Sequence, residues 1–562
     1  MAPSAKHRWE TGATTLVPGI SRLALLLLLA LAPTTQPHPL WAQETQDRDF
    51  QPVRDHIHRV MEERGLPSVS VAVSVRNRIV WEEAFGWARV EEEQPATSHT
   101  PYSLASISKP MTATGVMLLT EEGLVDLDAP LDRYIGDGGL RGLAAPPTLA
   151  TVRKVLAHTA GLPLHYTFFY QGEGVAPTSP QETLRRYGIL VFPPGERFEY
   201  SNLGYGLLDF LIQNVSGQSY PDFMEERVFE PLGMTRSSVG ITPDLEGKWA
   251  LRYSPEGEPL PFYDFDHPGA SAVFSSAHDL VRFGAFHLGH WIPPGSGPSG
   301  PPPRAQGRAG EAPTSSPSHP PPLLPSGTLR EMHTPQEPPA GNGCGLGWFI
   351  QEEFGFRKVY HTGSMPGVST MLALYPEEEV AIVVLLNALD REQRVEMARE
   401  VAAVVIPGYR KARVDQEART RQEDLEAASR SDAEAGESPG WPAPELTGLW
   451  EGTLTTWEGP VPVRMQVDGQ GNGTLTLGDA EPMSLQGPRF REGVFTARIP
   501  GAIPTTDALR HPEQVVALKL VLKREPICEN QEVTLRGQAT AQTTAYPAHF
   551  ALSSYLELVK RN

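Results

Sequence analysis

The chain has 562 residues, 40% hydrophobic and 20% charged, with a formal net charge of -19. That length exceeds one ordinary domain, and the composition is globular, without collagen-like or coiled-coil bias. The acidic balance argues against nucleic acid as a partner, because phosphate binding needs a basic surface. The two cysteines, Cys344 and Cys528, are far apart and form no metal-ligand cluster in sequence.

At the start, Lys6, Arg8 and Arg22 accompany an apolar run from Leu23 to Ala32. As a helix that run spans about 15 Å, against a bilayer core of about 30 Å. A secretory signal over residues 1–42 is expected, with Gln43 as the first mature residue. The rival cleavage point after Ala32 is followed by Pro33, which obstructs a peptidase. The expected location is secreted or periplasmic; an uncleaved leader would leave an N-terminal anchor and no further membrane insertion.

Past the leader, Val53, Ile57, Val60 and Met61 predict a helix over Asp49–Arg64, stopped by Gly65. Val69, Val71, Val73 and Val75 alternate with small or polar residues, as in a half-buried strand. A second strand follows over Ile79–Phe85, with Arg76, Asn77 and Arg78 as the turn. Ser106–Glu122 reads as a helix that buries Met111, Val116, Leu118 and Leu119. Further helices are expected at Pro180–Tyr187, Gly204–Asn214, Tyr220–Phe229 and Ala277–Leu288. Four strands (Gly347–Glu352, Lys358–His361, Ser369–Tyr375 and Val380–Asn387) precede an amphipathic helix over Asp390–Ile406. Strands at both ends with helices between them predict an α/β sandwich, one antiparallel sheet shared by the two ends plus a helical lobe.

This first domain is expected over residues 43–411, with a proline-rich disordered insertion at 293–325. A charged, alanine-rich linker or solvated helix covers 412–444. Residues 445–562 carry short alternating stretches between glycine- and proline-bearing turns: Gly448–Thr455, Val461–Asp468, Gly473–Leu477, Val494–Arg498, Val515–Leu522, Glu532–Gln538 and Ala548–Val559. They predict a small antiparallel β-barrel.

Three short motifs carry the chemistry. Ser106 and Lys109 stand one helical turn apart, so the amine can reach the hydroxyl. A serine needs a base to become a nucleophile, and a lysine serves only if its pKa falls well below about 10.4. Alone the pattern is weak, since about one match arises by chance in a chain of this size. Tyr200, ahead of Ser201 and Asn202, offers a phenol that can accept and return a proton. Asn202 offers an amide to a substrate carbonyl and an acceptor to the lysine. His361, Thr362 and Gly363 sit at the end of a predicted strand, where Gly363 lets a substrate backbone approach. The Ser106 and Ser364 amides could form an oxyanion hole worth a few kcal/mol. His158 is expected to be structural, and no metal-binding or nucleotide-binding motif is present in the sequence.

In this order, Ser106-x-x-Lys109, Leu156-x-His158-Thr159-x-Gly161-Leu162, Tyr200-Ser201-Asn202 and His361-Thr362-Gly363 resemble the penicillin-recognising serine hydrolases. The resemblance covers Asp49 to Tyr409 and points to the class C β-lactamase-like branch, with its esterases, D-amino-acid peptidases and D,D-carboxypeptidases. It implies acylation at Ser106, with Lys109 and Tyr200 sharing proton transfer, and no metal or organic cofactor. The implied partner is a small molecule or peptide with an ester or amide bond. His361 departs from the lysine that many relatives carry, which weakens the case for strong β-lactamase activity and favours an esterase or peptidase. The segment after Leu446 resembles the lipocalin-like barrels appended to some relatives. A non-catalytic penicillin-binding-type receptor or scaffold is the alternative reading.

Overall fold

The structure is a computed structural model; it describes residues 48–136, 138–290, 323–338, 343–431, 441, 443–510, 513–527, 530–543 and 549–561. The leader and most of the insertion therefore lie outside the described residues, as does Cys528. The chain divides into the units Met1–Arg48 and Asp49–Asn562, and the described helices and strands all lie in the second.

Helix α1 (Gln51–Arg64) starts where Asp49 Oδ1 accepts the Gln51 amide at 2.8 Å and ends at Gly65 in the left-handed region. Strands β1 (Ser68–Val75) and β2 (Arg78–Arg89) form the expected hairpin. Helices α2 (Ser108–Glu121), α3 (Asn202–Ser216) and α4 (Ala277–His287) belong to the middle of the chain. Strands β3 (Phe349–Glu353), β4 (Phe356–Met365), β5 (Val368–Tyr375) and β6 (Val380–Leu386) precede α5 (Arg391–Val405) and α6 (Tyr409–Ser431).

These strands make one seven-stranded antiparallel sheet: Gln94–Pro95, β2, β1, β6, β5, β4, β3. The first and last parts of the domain meet where Val69 pairs with Leu386 and Val75 with Val380. The α/β class and the shared sheet are thus as expected. The half-buried strand is corrected: β1 is buried on both faces. Val69, Val71 and Val73 pack with α1 and α5, among Val53, Ile57, Met397 and Val401. The opposite face is small, with Ser70, Ala72 and Ser74, so helices can lie close over it. On α4, a Cβ at Gly284 would come within 2.9 Å of Ala381 Cβ on β6. Alternation of polarity misled here because the serines serve close packing rather than solvation.

Three further expectations change. The Tyr220–Phe229 helix is an α-turn at Tyr220–Met224 that widens into a π-turn at Glu225–Phe229. Strand β4 does not stop at His361 but stays paired through Gly363 with Thr370 and Ser364 with Ser369. Leu324, which lies inside the predicted insertion, is fully buried in the core.

After α6, nine strands among the described residues form a nearly closed barrel-like sheet. They are β7 (Gly448–Thr456), β8 (Gly459–Val467), β9 (Gly473–Leu477), β10 (Met483–Ser484), β11 (Gln486–Arg491), β12 (Val494–Pro500), β13 (Val515–Ile527), β14 (Asn530–Thr543) and β15 (Phe550–Arg561). The order is β10-β9-β8-β7-β15-β14-β13-β12-β11. Its two edge strands, β10 and β11, are separated by Leu485 alone, so the sheet curls until its edges meet. Trp450, Met465, Leu475, Phe495, Leu518 and Leu556 fill its interior. β10 and β11 are the strands that sequence alternation missed, being short and rich in exposed residues.

The barrel is fastened to the sandwich. Phe550 and Ala551 of β15 pair with Thr167 and Tyr166. Tyr555 packs with Ile189, Val191 and Phe192. Arg186 stacks over Trp457 at 4.4 Å, and the Tyr187 hydroxyl donates to Asp507. Among the described residues, no helix is long and apolar enough to cross a membrane.

Candidate active site

Ser106 sits in a tight turn just before α2, and the turn is held under tension. Ala105 has φ of +50°, a left-handed conformation that costs a non-glycine residue about 1–3 kcal/mol. The surroundings over-determine it. Thr370 Oγ1 donates to Leu104 O at 2.8 Å, the Leu104 amide donates to Val273 O at 2.9 Å, and Ser108 Oγ donates to Ala105 O at 2.7 Å. Gly363 allows this bracing. A Cβ there would lie 2.0 Å from Leu104 O and 2.2 Å from Thr370 Oγ1. At this glycine the protein's own backbone makes a close approach.

Lys109 is fully buried on the first turn of α2. Its Nζ lies 3.1 Å from Ser106 Oγ, 2.8 Å from Asn202 Oδ1 and 3.0 Å from Ala270 O. Burial drives its pKa well below the ordinary lysine value, and no carboxylate pairs with it among the described residues. A neutral amine has two N–H donors and one lone pair. Asn202 Oδ1 and Ala270 O can only accept, so in the uncharged form they take the two donors and leave the lone pair for the Ser106 hydroxyl. Tyr200 approaches from the other side, sharing the cavity wall with Ser106, whose hydroxyl is close enough to act on its phenol. Burial raises the phenol pKa above its usual value, which favours a Tyr200 that keeps its proton. Its ring lies 4.8 Å from Lys109 Nζ.

The sequence places each of these groups by local means. Ser201 caps α3 by accepting the Gly204 amide at 2.9 Å, which sets Asn202 on the first turn. Ala270 O reaches Lys109 because glycines thin the packing around the short helix Pro268–Ser271. A Cβ at Gly206 would come 2.9 Å from His267 Cβ, and one at Gly269 would come 2.6 Å from Tyr205 O. His158 backs the tyrosine: its ring centroid is 4.3 Å from that of Tyr200, and its Nδ1 accepts the Ser201 amide at 3.1 Å.

Asp209 carries the next layer of support. Its Oδ2 accepts the Gly269 amide at 2.7 Å, and burial pushes its carboxyl up to about 8. The native state thus holds a proton that an unburied carboxyl, at 3.8, releases. The stability from that proton is complete below about pH 4 and is lost as pH rises through about 8. Asp209→Asn keeps an acceptor for Gly269. It is expected to flatten the decline in stability between about pH 4 and 8 and to raise Tm at pH 8, as followed by calorimetry across that range. An unchanged pH dependence would mean that the carboxyl is ionised in the fold.

Ser106, Tyr200 and Asn202 open onto a cavity of about 550 Å³ with His361, Thr362 and Ser364 on its far wall. Of the residues singled out from sequence, Lys109 lies behind this surface and Gly363 within the wall. His361 is buried, with Nδ1 2.9 Å from Thr362 O, and burial lowers its pKa to about 3. It is a neutral ring, not a cation. Arg394 from α5 donates to Ser364 Oγ at 2.6 Å and to Gly363 O, which pins the strand edge. Cys344 is unpaired and buried, with its thiol pushed up to about 12.

Sequence reasoning missed several lining residues. Phe349, His267, Arg391 and His549 face the cavity together with Tyr166 and Phe168. His549 comes from the barrel, held by the Phe168 amide donating to its carbonyl at 3.1 Å. Nothing local marks it, because its neighbours are distant in the chain. No carboxylate lines the cavity among the described residues, and Arg391 is the cation at its rim.

The comparisons agree with this architecture. The curated penicillin-binding protein 4* of Bacillus subtilis (strain 168) is 28% identical over 337 residues, which is 55% of this chain and 65% of that protein. Protein flp of Staphylococcus aureus (strain N315) is 25% identical over 333 residues, 57% of this chain and 60% of its own length. The match therefore spans less than two-thirds of these relatives. In fold, the chain is similar to the octameric penicillin-binding protein homologue from Pyrococcus abyssi, with a TM-score of 0.52 and 22% identity. That likeness covers 90% of this chain and 100% of the other. A class C β-lactamase from Rhodobacter sphaeroides matches with a TM-score of 0.50 and 22% identity over 62% of this chain and 98% of its own. The family model described as Beta-lactamase matches residues 53–406, from α1 to the end of α5, and this chain belongs to that family.

Proposed function

We propose that this protein is an exported serine hydrolase that cleaves an ester or amide through an acyl-serine intermediate. One observation carries the reading: Ser106 Oγ lies 3.1 Å from the fully buried Lys109 amine and shares its cavity wall with the Tyr200 phenol, and burial favours the uncharged form of both groups. Lys109 takes the Ser106 proton as the hydroxyl attacks the acyl carbon. Tyr200 supplies a proton to the leaving group and recovers one through Ser106 and Lys109 when water releases the acyl enzyme. The Ser106 and Ser364 amides receive the oxyanion, and Asn202 orients the acyl group.

The preferred substrates are esters or peptide-like amides rather than β-lactams. Neutral His361 provides no fixed charge for a β-lactam carboxylate, and Arg391 stands at the rim instead. The basic and apolar leader supports export. Penicillin-binding protein 4*, by its name, binds penicillin, which supports an acylated serine here.

Labelling with a fluorophosphonate and with a fluorescent penicillin tests the mechanism. Wild type is expected to label and Ser106→Ala is not, with nitrophenyl-ester turnover falling by about 10³-fold or more. Equal labelling of the two proteins would remove Ser106 from the mechanism. Tight ligand binding without turnover by the wild type would support a receptor instead.

A further inference from the structure

The barrel meets the active site at a second place besides His549, directly behind the tyrosine. Glu199, the residue before Tyr200, has a side chain only 8% exposed. Its carboxylate accepts from Lys519 Nζ on β13 and from Gln538 Nε2 on β14, the latter at 3.1 Å. Its backbone amide donates to His158 O at 2.7 Å, while the amide of Ser201, on the other flank, donates to His158 Nδ1 at 3.1 Å. Both chain neighbours of Tyr200 are therefore clamped, one of them by the barrel. Four residues along β13, on the same strand face, Lys523 pairs with Glu196 at 3.3 Å. Phe192 lies over Gly537 of β14, where a Cβ would come 2.9 Å from its ring. A cavity of about 380 Å³ separates the two parts, with Phe198 and Tyr200 on one wall and Leu518, Lys519 and Gln538 on the other.

We propose that Lys519 and Gln538, acting through Glu199, are positioning residues for Tyr200, so that the barrel holds the phenol against Ser106. The Lys519–Glu199 pair is strongly shielded on the glutamate side. Removing the lysine leaves a buried carboxylate with Gln538 as its remaining side-chain partner, and that end of the segment shifts toward water. Tyr200 is the next residue, so the shift reaches its ring directly. A displacement of about 1 Å can cost about 10²-fold in rate. The inference rests on the proton-transfer role of Tyr200 proposed above.

The test uses the full chain and steady-state hydrolysis of a short nitrophenyl ester. Lys519→Met and Glu199→Gln are each expected to lower kcat by about 10- to 100-fold while KM stays within about twofold. In a Tyr200→Phe background, Lys519→Met is expected to cause no further loss, because the group it positions is gone. The exchange of charges, Glu199→Lys with Lys519→Glu, is expected to recover most of the lost kcat. Unchanged kcat in folded Lys519→Met and Glu199→Gln overturns the proposal, and so does a full additional loss on top of Tyr200→Phe. If Lys519→Met does not fold, Gln538→Leu carries the same measurement. Wild-type kcat in Tyr200→Phe would sink both this inference and the role of the phenol. A large loss in Tyr200→Phe beside none in Lys519→Met sinks the inference alone.

Discussion

Lys109→Met is expected to lower the rate of Ser106 acylation by about 10³-fold or more and, at the same time, to raise Tm at neutral pH. The two effects have one cause. Lys109 is fully buried with no carboxylate beside it among the described residues, so burial favours its uncharged amine. An uncharged amine is the base that Ser106 needs. It is also a proton that the unfolded chain would bind and the native chain forgoes. With the folded pKa depressed, the stability it contributes is complete above the unfolded value of about 10.4 and is lost as pH falls toward the folded value. At neutral pH the group is therefore a stability cost. Methionine fills a similar volume without that cost. Against this stands the loss of donors to Ala270 O and Asn202 Oδ1, about 1–3 kcal/mol for a buried acceptor left alone. A rise in Tm is the result expected if holding the amine out of water costs more than those two hydrogen bonds return. Stopped-flow acylation and calorimetry on one preparation read both effects. A fall in Tm below wild type would mean that the lysine is charged and paired in the native state.

Gly363→Ala is expected to destabilise the fold by about 1–3 kcal/mol and to lower ester turnover by about 10²-fold. The new Cβ would stand 2.0 Å from Leu104 O and 2.2 Å from Thr370 Oγ1, and neither is the far end of a flexible side chain. Leu104 O is itself fixed by Thr370, so the strand and the serine turn must separate. Ala105 and Ser106 follow Leu104 and would move with it. Gly327, in the helix Ser326–Met332, has open space where a Cβ would sit and makes a fair control. Gly327→Ala should be neutral or slightly stabilising, by up to about 1 kcal/mol. Urea midpoints and kcat for the two alanine variants give the comparison. Similar midpoints for both would mean that the strand packs loosely against the turn.

Much of the sandwich was legible from period alone. Val69 to Val75 and Val380 to Leu386 alternate or run apolar, as sheet partners do, and they pair in the structure. The helix over Pro180–Tyr187 matches its predicted bounds, set by the Ser179 cap and a proline at its start. Where local reading failed, packing at a distance had overruled it. The serines of β1 looked like a wet face but are covered by helices. Gly363 looked like the end of a strand, yet its missing side chain lets that strand continue against Leu104.

The order of residues along the chain was enough to specify the serine and lysine on adjacent turns, because one helical turn fixes their separation. It also specified the caps that orient Asn202 and the polarity pattern of the shared sheet. Whether Lys109 carries a charge, which side of Ser106 Tyr200 occupies, and how the barrel brings His549 and Lys519 to the cleft were decided by the tertiary fold. Desolvation and hydrogen-bond geometry depend on atoms that are near in space and remote in sequence. Ala270, Glu199 and the barrel strands act on the site through such contacts.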